Sequence, residues 1–365
     1  MDLTNEVLHP LCKFTFYPIE RISRGIQRGG VDDEDFDPAI LPYKITDLLT
    51  IEDVSTLIAE DEFDIYRPVL GKYLHDHINI KHAIVHRFPR YEIDASNHII
   101  KFEVDMVNLS RNLVGSAAAC LRLIRPTTQY LGLFHGDLED GKFRRIGFDT
   151  PVDGLMNPIS HRTLGFRTSD AETLKFYLPL FLKGMSGPFW KFQMAVKMHE
   201  SGHFQNDSRA KFFLWTTAVE SLFTTKSQQG SLVGSERIKS FLGPKSPIYP
   251  PGELSSVYIN PNHTVEEVVG ELYCLRNHIA HGDRIPPYYS QQPGRQDIYS
   301  GDIARFEMLL EAISFIIRHS LLKILSDNLV DEFADASSTD AYFGAKNLKK
   351  KALENLRIPA FKCPQ

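Results

Sequence analysis

The chain has 365 residues, of which 42% are apolar and 24% charged, a composition typical of a globular protein with room for two domains. Its 41 basic and 46 acidic residues give a net charge of −5, which excludes broad, non-specific nucleic-acid binding as the main activity but leaves room for a local basic site. Neither a signal peptide nor an apolar stretch of roughly 20 residues is visible, so we expect a cytoplasmic protein without a membrane segment.

The first 165 residues have the mixed texture of an α+β domain. Helical patterns alternate with short β-branched runs, and turn residues such as Asp94–Asn97 separate these runs. From these patterns we predict helix over 46–78, in short pieces broken near Pro68, and strands at 82–86 and 99–104. A further pair of strands is predicted at 129–135 and 142–148. The stretch 111–124 fits a helix or a strand, and we favour a helix. No catalytic motif is found in this part of the chain. We therefore predict a mixed domain over residues 1–165 that carries no catalytic site.

Beyond residue 168 the strand-like alternation of residues ends and helical periodicity dominates. Helices are expected from Pro188 to residue 199 or 200, after an N-cap near Asp207, over 233–242, from the capping-box pattern at Thr264 to Gly282, and from near Asp302. Their apolar stripes are typical of helices that pack in a bundle. The fold class is therefore predicted as α+β, with an all-α helical bundle over 168–335 and a polar, basic tail over 336–365.

One of these helices ends in the string Leu275–Gly282, which contains an arginine, an asparagine and two histidines. At ~100° per residue, Arg276 lies on the shoulder of the apolar stripe of this helix, whereas Asn277 and His281 share a face turned away from the stripe. His281 is therefore predicted to face water or another chain rather than its own core.

A fixed guanidinium beside a titratable imidazole suits phosphoryl chemistry on RNA. The histidine can take a proton from a 2′-OH or give one to the leaving 5′-oxygen. The arginine can hold the non-bridging oxygens and stabilise the charge that develops on them. One imidazole cannot easily be acid and base together, but a two-fold dimer would bring two copies of the motif together.

Upstream of this string stand Trp215–Phe223 and then Glu236-Arg237-Ile238. Together with Arg276, Asn277 and His281, this combination resembles the HEPN superfamily, and most closely the HEPN modules of Apea-like proteins, over about residues 170–330. The resemblance implies a dimeric endoribonuclease that needs no metal or other cofactor and acts in phage defence or as a toxin, with an N-terminal domain that senses or regulates. Catalysis would then fall to Arg276, Asn277 and His281.

Two further residues are expected to support this site, namely Glu220 and His278. Glu220 lies beside the apolar stripe of its helix, where it can pair with Arg237 or with Arg276, or with a local lysine as an ordinary surface acid. The main alternative is a non-catalytic HEPN module for dimerisation or nucleotide binding, in which the arginine and the histidine only stabilise the helix end. RNA cleavage that persists in EDTA would separate the two interpretations.

A second pattern, His199-Glu200-Ser201-Gly202-His203, matches the His-Glu-x-x-His signature of zinc peptidases. Zinc binding requires both histidines one turn apart on a continuous helix, and Gly202 is expected to break the helix between them. We therefore predict no metal at His199 and His203 and keep a zinc metallopeptidase as the second alternative. The four cysteines contain no Cys-x-x-Cys pair, which favours reduced thiols over a zinc site or a disulfide framework.

Overall fold

The computed structural model describes residues 12–18, 38–58, 82–89, 92–93, 99–101, 103–125, 133–149, 167–205, 207–248, 263–281 and 298–344. These residues form a mixed α/β structure with eight α-helices and a six-stranded antiparallel sheet. The chain divides into two compact units, Met1–Pro179 and Leu180–Gln365. The division falls inside one helix, which spans Thr168–Ser186 and contains Pro179.

The first unit contains all the described strands. They are β1 (Cys12–Pro18), β2 (Tyr43–Lys44), β3 (Thr50–Asp53), β4 (His82–Pro89), β5 (Glu92–Ile93), β6 (Ile99–Lys101), β7 (Leu133–Glu139) and β8 (Lys142–Asp149). The large sheet has the order β2-β3-β4-β1-β7-β8, and β5 and β6 form a separate two-stranded sheet. Strand β1 thus lies between β4 and β7, with Thr15 opposite His86 on one side and His135 on the other.

Helix α1 (Glu103–Ile124) packs against the central strands β1, β4 and β7. A buried hydrogen bond of 2.8 Å joins His86 Nδ1 on β4 to Ser110 Oγ on this helix. The buried small residues of its second half, among them Ala117, Ala118 and Cys120, allow the helix to approach the sheet closely. The predicted helix over 111–124 is therefore part of a longer one.

Two predictions for the first unit are wrong. A helix was expected over 46–78, yet β3 pairs with β4 inside this range, with Ile51 opposite Ile84 and both buried. The burial of this β-branched segment in the sheet outweighs its weak helical pattern. Residues 103 and 104 were expected in a strand and begin helix α1 instead. The remainder of the expected helix, 59–78, lies outside the described residues.

The second unit is helical over its described residues. With the helix that spans the division, its helices are α2 (Thr168–Ser186), α3 (Trp190–His203), α4 (Ser208–Phe223), α5 (Ser231–Leu242), α6 (Val265–Ala280), α7 (Ile298–Ser326) and α8 (Ala336–Gly344). The predicted stripe of α4 is buried as expected, at Phe212, Trp215, Val219 and Leu222. Asp207 caps α4 by accepting a 2.7 Å hydrogen bond from the Ala210 N–H, and Gly243 ends α5 in the left-handed region.

Residues 336–344 were expected to start a polar tail, but they form helix α8. Its Thr339 and Phe343 are buried, and Phe343 joins an aromatic cluster with Phe223 and Phe333. The apolar spacing in this short segment is too sparse to be recognised as a helix by periodicity, and burial of the few large residues holds it in place.

Two smaller findings concern membranes and cysteines. Within the described residues, no helix combines the length and the apolar character needed to cross a bilayer. Cys120 is a buried free thiol, whereas Cys274 is disulfide-bonded, which contradicts the expectation of reduced thiols at that position.

Candidate functional site

Helix α6 carries the Arg276 motif, and its start is fixed by the predicted capping box. The Thr264 side chain accepts from the backbone of Glu267, while Glu267 Oε2 accepts a 2.8 Å hydrogen bond from the Thr264 N–H. Val265, Val268 and Leu272 bury the apolar stripe. This face fixes the rotation of the helix and thereby decides which residues of its last turn meet the core and which meet solvent.

Arg276 lies at the edge of that buried face and is held from three sides. Its Nη2 donates to Glu220 Oε2 on α4 at 2.9 Å, and its Nη1 donates to Asn277 Oδ1 at 3.2 Å. Its guanidinium carbon lies 5.6 Å above the centre of the Phe213 ring, within the range of a cation–π contact. The half-buried guanidinium is therefore oriented by α4 before any ligand arrives.

Glu220 pairs with Arg276, one of the two arginines that the sequence offered as its partner. The other, Arg237, donates to Asp340 instead, at 2.7 Å. Burial raises the pKa of Glu220, and the Arg276 guanidinium opposes that rise. Burial likewise raises the pKa of Tyr273, one turn before Arg276, and the negative charge of Glu220 adds to this effect. Glu220, Tyr273 and Arg276 thus form one electrostatically coupled group.

The other motif residues lie at the open end of α6. Asn277 and His281 are exposed, and His278 is half-buried. His281 is the C-cap of the helix, and its backbone N–H donates to the Asn277 carbonyl at 3.0 Å. The structure therefore places a fixed guanidinium on the shoulder of α6 and an exposed imidazole at the end of the same helix. No contact between the His281 side chain and Arg276 is observed among the described residues.

We expected Gly202 to break the helix between His199 and His203 and so to exclude a metal there, and this expectation of a break is wrong. Helix α3 continues through Gly202 to His203, so His199 and His203 lie one turn apart on the same helix. Gly202 does not break the helix; instead it makes room for Trp215, because a Cβ at this position would lie 2.4 Å from the indole Nε1. Among the described residues, however, no group of three or more His, Cys, Asp or Glu side chains is arranged to hold a metal ion.

Sequence reasoning missed a partly buried polar cluster around Asp340 that joins α3, α5 and α8. Asp340 accepts hydrogen bonds from Arg237, Thr225 and Ser227. Nearby, Lys191 Nζ donates to the Thr224 carbonyl at 2.7 Å. Burial, together with the neighbouring Arg237 charge, lowers the pKa of Lys191 to about 8. Asp340 is more than 100 positions away from Thr225, Ser227 and Arg237 in the chain, and charged residues at ordinary spacing give no signal of such a cluster.

Comparisons with known proteins do not name this site. No family model, no curated protein and no solved structure matches the chain.

Proposed function

We propose that the chain is a HEPN-like endoribonuclease that cleaves RNA by attack of a 2′-OH, without a metal ion. The observation that carries this proposal is the Arg276 guanidinium, which Glu220 and Asn277 hold in place on the last turns of α6, the helix that ends at the exposed His281. The fold class that goes with it is a HEPN-like helical bundle formed by the second unit. A role in phage defence or as a toxin follows from the same resemblance.

In this mechanism Arg276 binds the scissile phosphate. Its Nη2 group donates to Glu220, which keeps the guanidinium oriented, while its Nη1 group donates only to the exposed Asn277 amide oxygen, an acceptor that a phosphate oxygen can replace with little rearrangement. As the phosphorane forms, the guanidinium stabilises its additional negative charge. Asn277 then orients the phosphate or the imidazole.

His281 acts as the general acid or base. The 2′-oxygen attacks phosphorus, the bond from phosphorus to the 5′-oxygen breaks, and the products are a 2′,3′-cyclic phosphate and a 5′-hydroxyl. One proton leaves the 2′-OH and one reaches the 5′-oxygen, which needs two groups in opposite protonation states. A homodimer through the helical unit supplies a second His281, and the exposed position of this residue is compatible with such pairing.

The decisive experiment compares RNA cleavage by the wild type and by His281→Ala in EDTA. Because His281 is exposed, its replacement should change the free energy of unfolding by no more than about 0.5 kcal/mol. The same change should slow cleavage at least ~10²-fold. Arg276→Lys should not restore full activity, since an ammonium cannot make the paired contact of a guanidinium. DNA and 2′-O-methyl RNA should not be cleaved.

Wild-type cleavage by folded His281→Ala would overturn this mechanism. The favoured function would then be a non-catalytic module for dimerisation or nucleotide binding. A zinc metallopeptidase is less well supported, because His199 is fully buried and a peptidase must expose its metal-bound water to a substrate.

A further inference from the structure

We propose that Trp190, the first residue of α3, is a stacking platform for a base of single-stranded RNA, and that Lys197 on the same helix contacts the phosphates of that strand. The inference rests on the proposed ribonuclease, since it names the form of RNA that the helical unit holds. It concerns binding of the strand and leaves the cleavage step to the residues described above.

The first argument is the exposure of Trp190. Its side chain is 61% exposed, whereas the other tryptophan of the chain, Trp215, is 2% exposed. Single exposed apolar residues are ordinary, but an indole presents a wide, flat π surface to the solvent. Every unpaired base has a π face that can stack on such a ring, whatever its sequence context. A base therefore needs no cavity to bind here.

The second argument is the charge of the helix face that Trp190 begins. At ~100° per residue, Met194, Lys197 and Ser201 lie within about 40° of Trp190 around the axis of α3. Lys197 is the only charged residue of these four, and its Nζ lies 6.0 Å from the centre of the indole ring, at the outer limit of a cation–π contact. The one acidic residue of α3, Glu200, lies outside this face. An apolar ring beside a positive charge is complementary to a base and its phosphate.

The third argument is that the backbone around Trp190 is fixed. The Lys191 N–H donates to the Ala334 carbonyl at 3.1 Å, and Gln193 Nε2 donates to the Gly187 carbonyl at 2.5 Å. These bonds hold the chain on both sides of Trp190. Only the rotation of the indole about its own bonds is then lost when a base stacks on it, which lowers the entropic cost of binding.

The platform lies at the same end of α4 as the Arg276 site. Lys191 Nζ, next to Trp190, donates to the Thr224 carbonyl at the end of α4. Glu220, which holds Arg276, is four residues earlier on α4, about 6 Å along the helix axis. Single-strand sites typically cover ~4–16 nucleotides. One strand can therefore reach both Trp190 and Arg276.

A protein partner, including a second copy of the chain, is the other class of occupant for an exposed tryptophan. Lysine is depleted at the centre of protein interfaces, whereas aromatic rings beside basic side chains line the channels that bind single strands. Lys197 next to Trp190 therefore favours RNA. The chain has a net charge of −5, so binding depends on this local site and not on a general attraction to nucleic acid.

The test titrates the full chain with a 2′-O-methyl RNA single strand of about 15 nucleotides, which the proposed ribonuclease cannot cleave. Stacking should quench the fluorescence of Trp190, and Trp190→Phe should remove this quenching because Trp215 is buried. Trp190→Ala should weaken binding of the labelled strand, measured by fluorescence anisotropy, at least about fivefold, the lower bound for one base–aromatic stack. Phe176→Ala is the matched control, since Phe176 is 59% exposed, and should bind as the wild type does.

Two further arms separate stacking from electrostatic attraction. The duplex of the same sequence keeps its bases stacked on each other, so it should leave the fluorescence of Trp190 unchanged. Lys197→Gln should weaken binding of the single strand and reduce its dependence on salt. Equal affinity of folded Trp190→Ala and wild type, or equal quenching by the duplex, would overturn the proposal. A wild-type dimer that Trp190→Ala converts to a monomer, without quenching by RNA, would overturn it in favour of a second copy.

The inference and the proposed function fail in different experiments. An unmodified strand that binds through Trp190 but is not cleaved by the wild type contradicts the ribonuclease and supports the platform. Cleavage by the wild type together with binding that does not depend on Trp190 contradicts the platform and leaves the ribonuclease intact.

Discussion

At the residue scale, the charge of Arg276 is balanced by Glu220 in a place where neither is fully hydrated. Their side chains are 28% and 22% exposed, and Nη2 lies 2.9 Å from Oε2. Burial disfavours the ionised carboxylate, and the guanidinium compensates for part of this effect. The pair therefore has two roles in our proposal, because it orients Arg276 for a phosphate and it opposes the rise that burial causes in the pKa of Glu220.

This coupling predicts how Arg276→Ala changes stability with pH. Without the guanidinium, the folded-state pKa of Glu220 rises further above its unfolded value. The folded state then binds the proton more tightly than the unfolded state, so the contribution of Glu220 is favourable below the unfolded pKa and is lost as the pH rises through the folded pKa. Urea unfolding should show Arg276→Ala to be destabilised by about 1–3 kcal/mol at pH 7 and by less at pH 5.

The control for this prediction is the double variant Glu220→Gln, Arg276→Ala. It has no carboxyl group to titrate, so its stability relative to Glu220→Gln should not change between pH 5 and pH 7. An Arg276→Ala variant with the same stability loss at both pH values would show that this guanidinium does not lower the pKa of Glu220.

Sequence reasoning could predict the motif on α6 but not its partner. Helical spacing is local, so the exposure of Asn277 and His281 and the capping box at Thr264 could be derived from the order of residues. The ion pair joins residues 56 positions apart, although the sequence also offered Glu220 a nearer arginine, Arg237. Only the packing of α4 against α6 decides between them.

At the element scale, Gly202 shows that a residue type alone does not establish where a helix ends. Glycine lowers helix propensity by about 1 kcal/mol, which made a helix end after residue 200 plausible. The structure keeps the helix because Trp215 packs over Gly202 and donates to the His199 carbonyl. Tertiary burial of an indole exceeds the local cost, and no local pattern reveals which glycine lies beneath an aromatic ring.

Gly202→Ala should therefore destabilise the protein despite the better helix propensity of alanine. The new Cβ would lie 2.4 Å from Trp215 Nε1, which forces the indole to move. We expect a loss of about 1–3 kcal/mol in urea unfolding, together with a changed tryptophan emission. Gly115→Ala in α1 is the control, since its Cβ would meet only Leu133 Cδ1, at 3.6 Å, and should be neutral or slightly stabilising. Equal effects of the two changes would contradict this account of Gly202.

A second prediction at this scale concerns Lys191 at the start of α3. Its folded-state pKa of about 8 is below the ordinary value of 10.5, so between these values the unfolded chain binds the proton more tightly. Stability should therefore rise with pH in this window as the buried amine loses its charge. Relative to Lys191→Met, the wild type should gain about 2 kcal/mol in free energy of unfolding between pH 7.5 and pH 9.5. A constant difference between the two proteins would show that Lys191 titrates normally.

At the scale of the whole molecule, the six-stranded sheet was the part of the fold least accessible to sequence reasoning. Strands β7 and β8 follow each other and were expected as a pair, which the structure confirms. By contrast, β1 inserts between β4 and β7, and these pairings connect segments about 70 and 120 residues away. Register over such separations depends on long-range burial, for example of Phe14 and Phe143, whose rings stack at 3.9 Å.

The helical unit was easier to predict, except for its last helix. The long apolar stripes of α4, α6 and α7 are periodic and indicate a bundle by themselves. Helix α8 has nine residues and is held by Phe343, Thr339 and the contact of Asp340 with Arg237. Phe343 and Asp340 make long-range contacts and Thr339 is buried, so the helix belongs to the bundle although its sequence is typical of a polar tail.

This structure predicts that α8 is required for the stability of the helical unit, which can be tested with two truncated chains. A chain that ends at Asp335 lacks α8, and a chain that ends at Gly344 keeps it. Loss of the buried Phe343 side chain alone should cost about 3–5 kcal/mol, and Arg237 would in addition lose the carboxylate that neutralises it.

Both tryptophans lie between residues 180 and 365, so their fluorescence reports on the unfolding of this unit. We expect the shorter chain to be less stable than the longer one by at least about 3 kcal/mol. Equal urea midpoints for the two chains would show that α8 rests on the bundle without stabilising it.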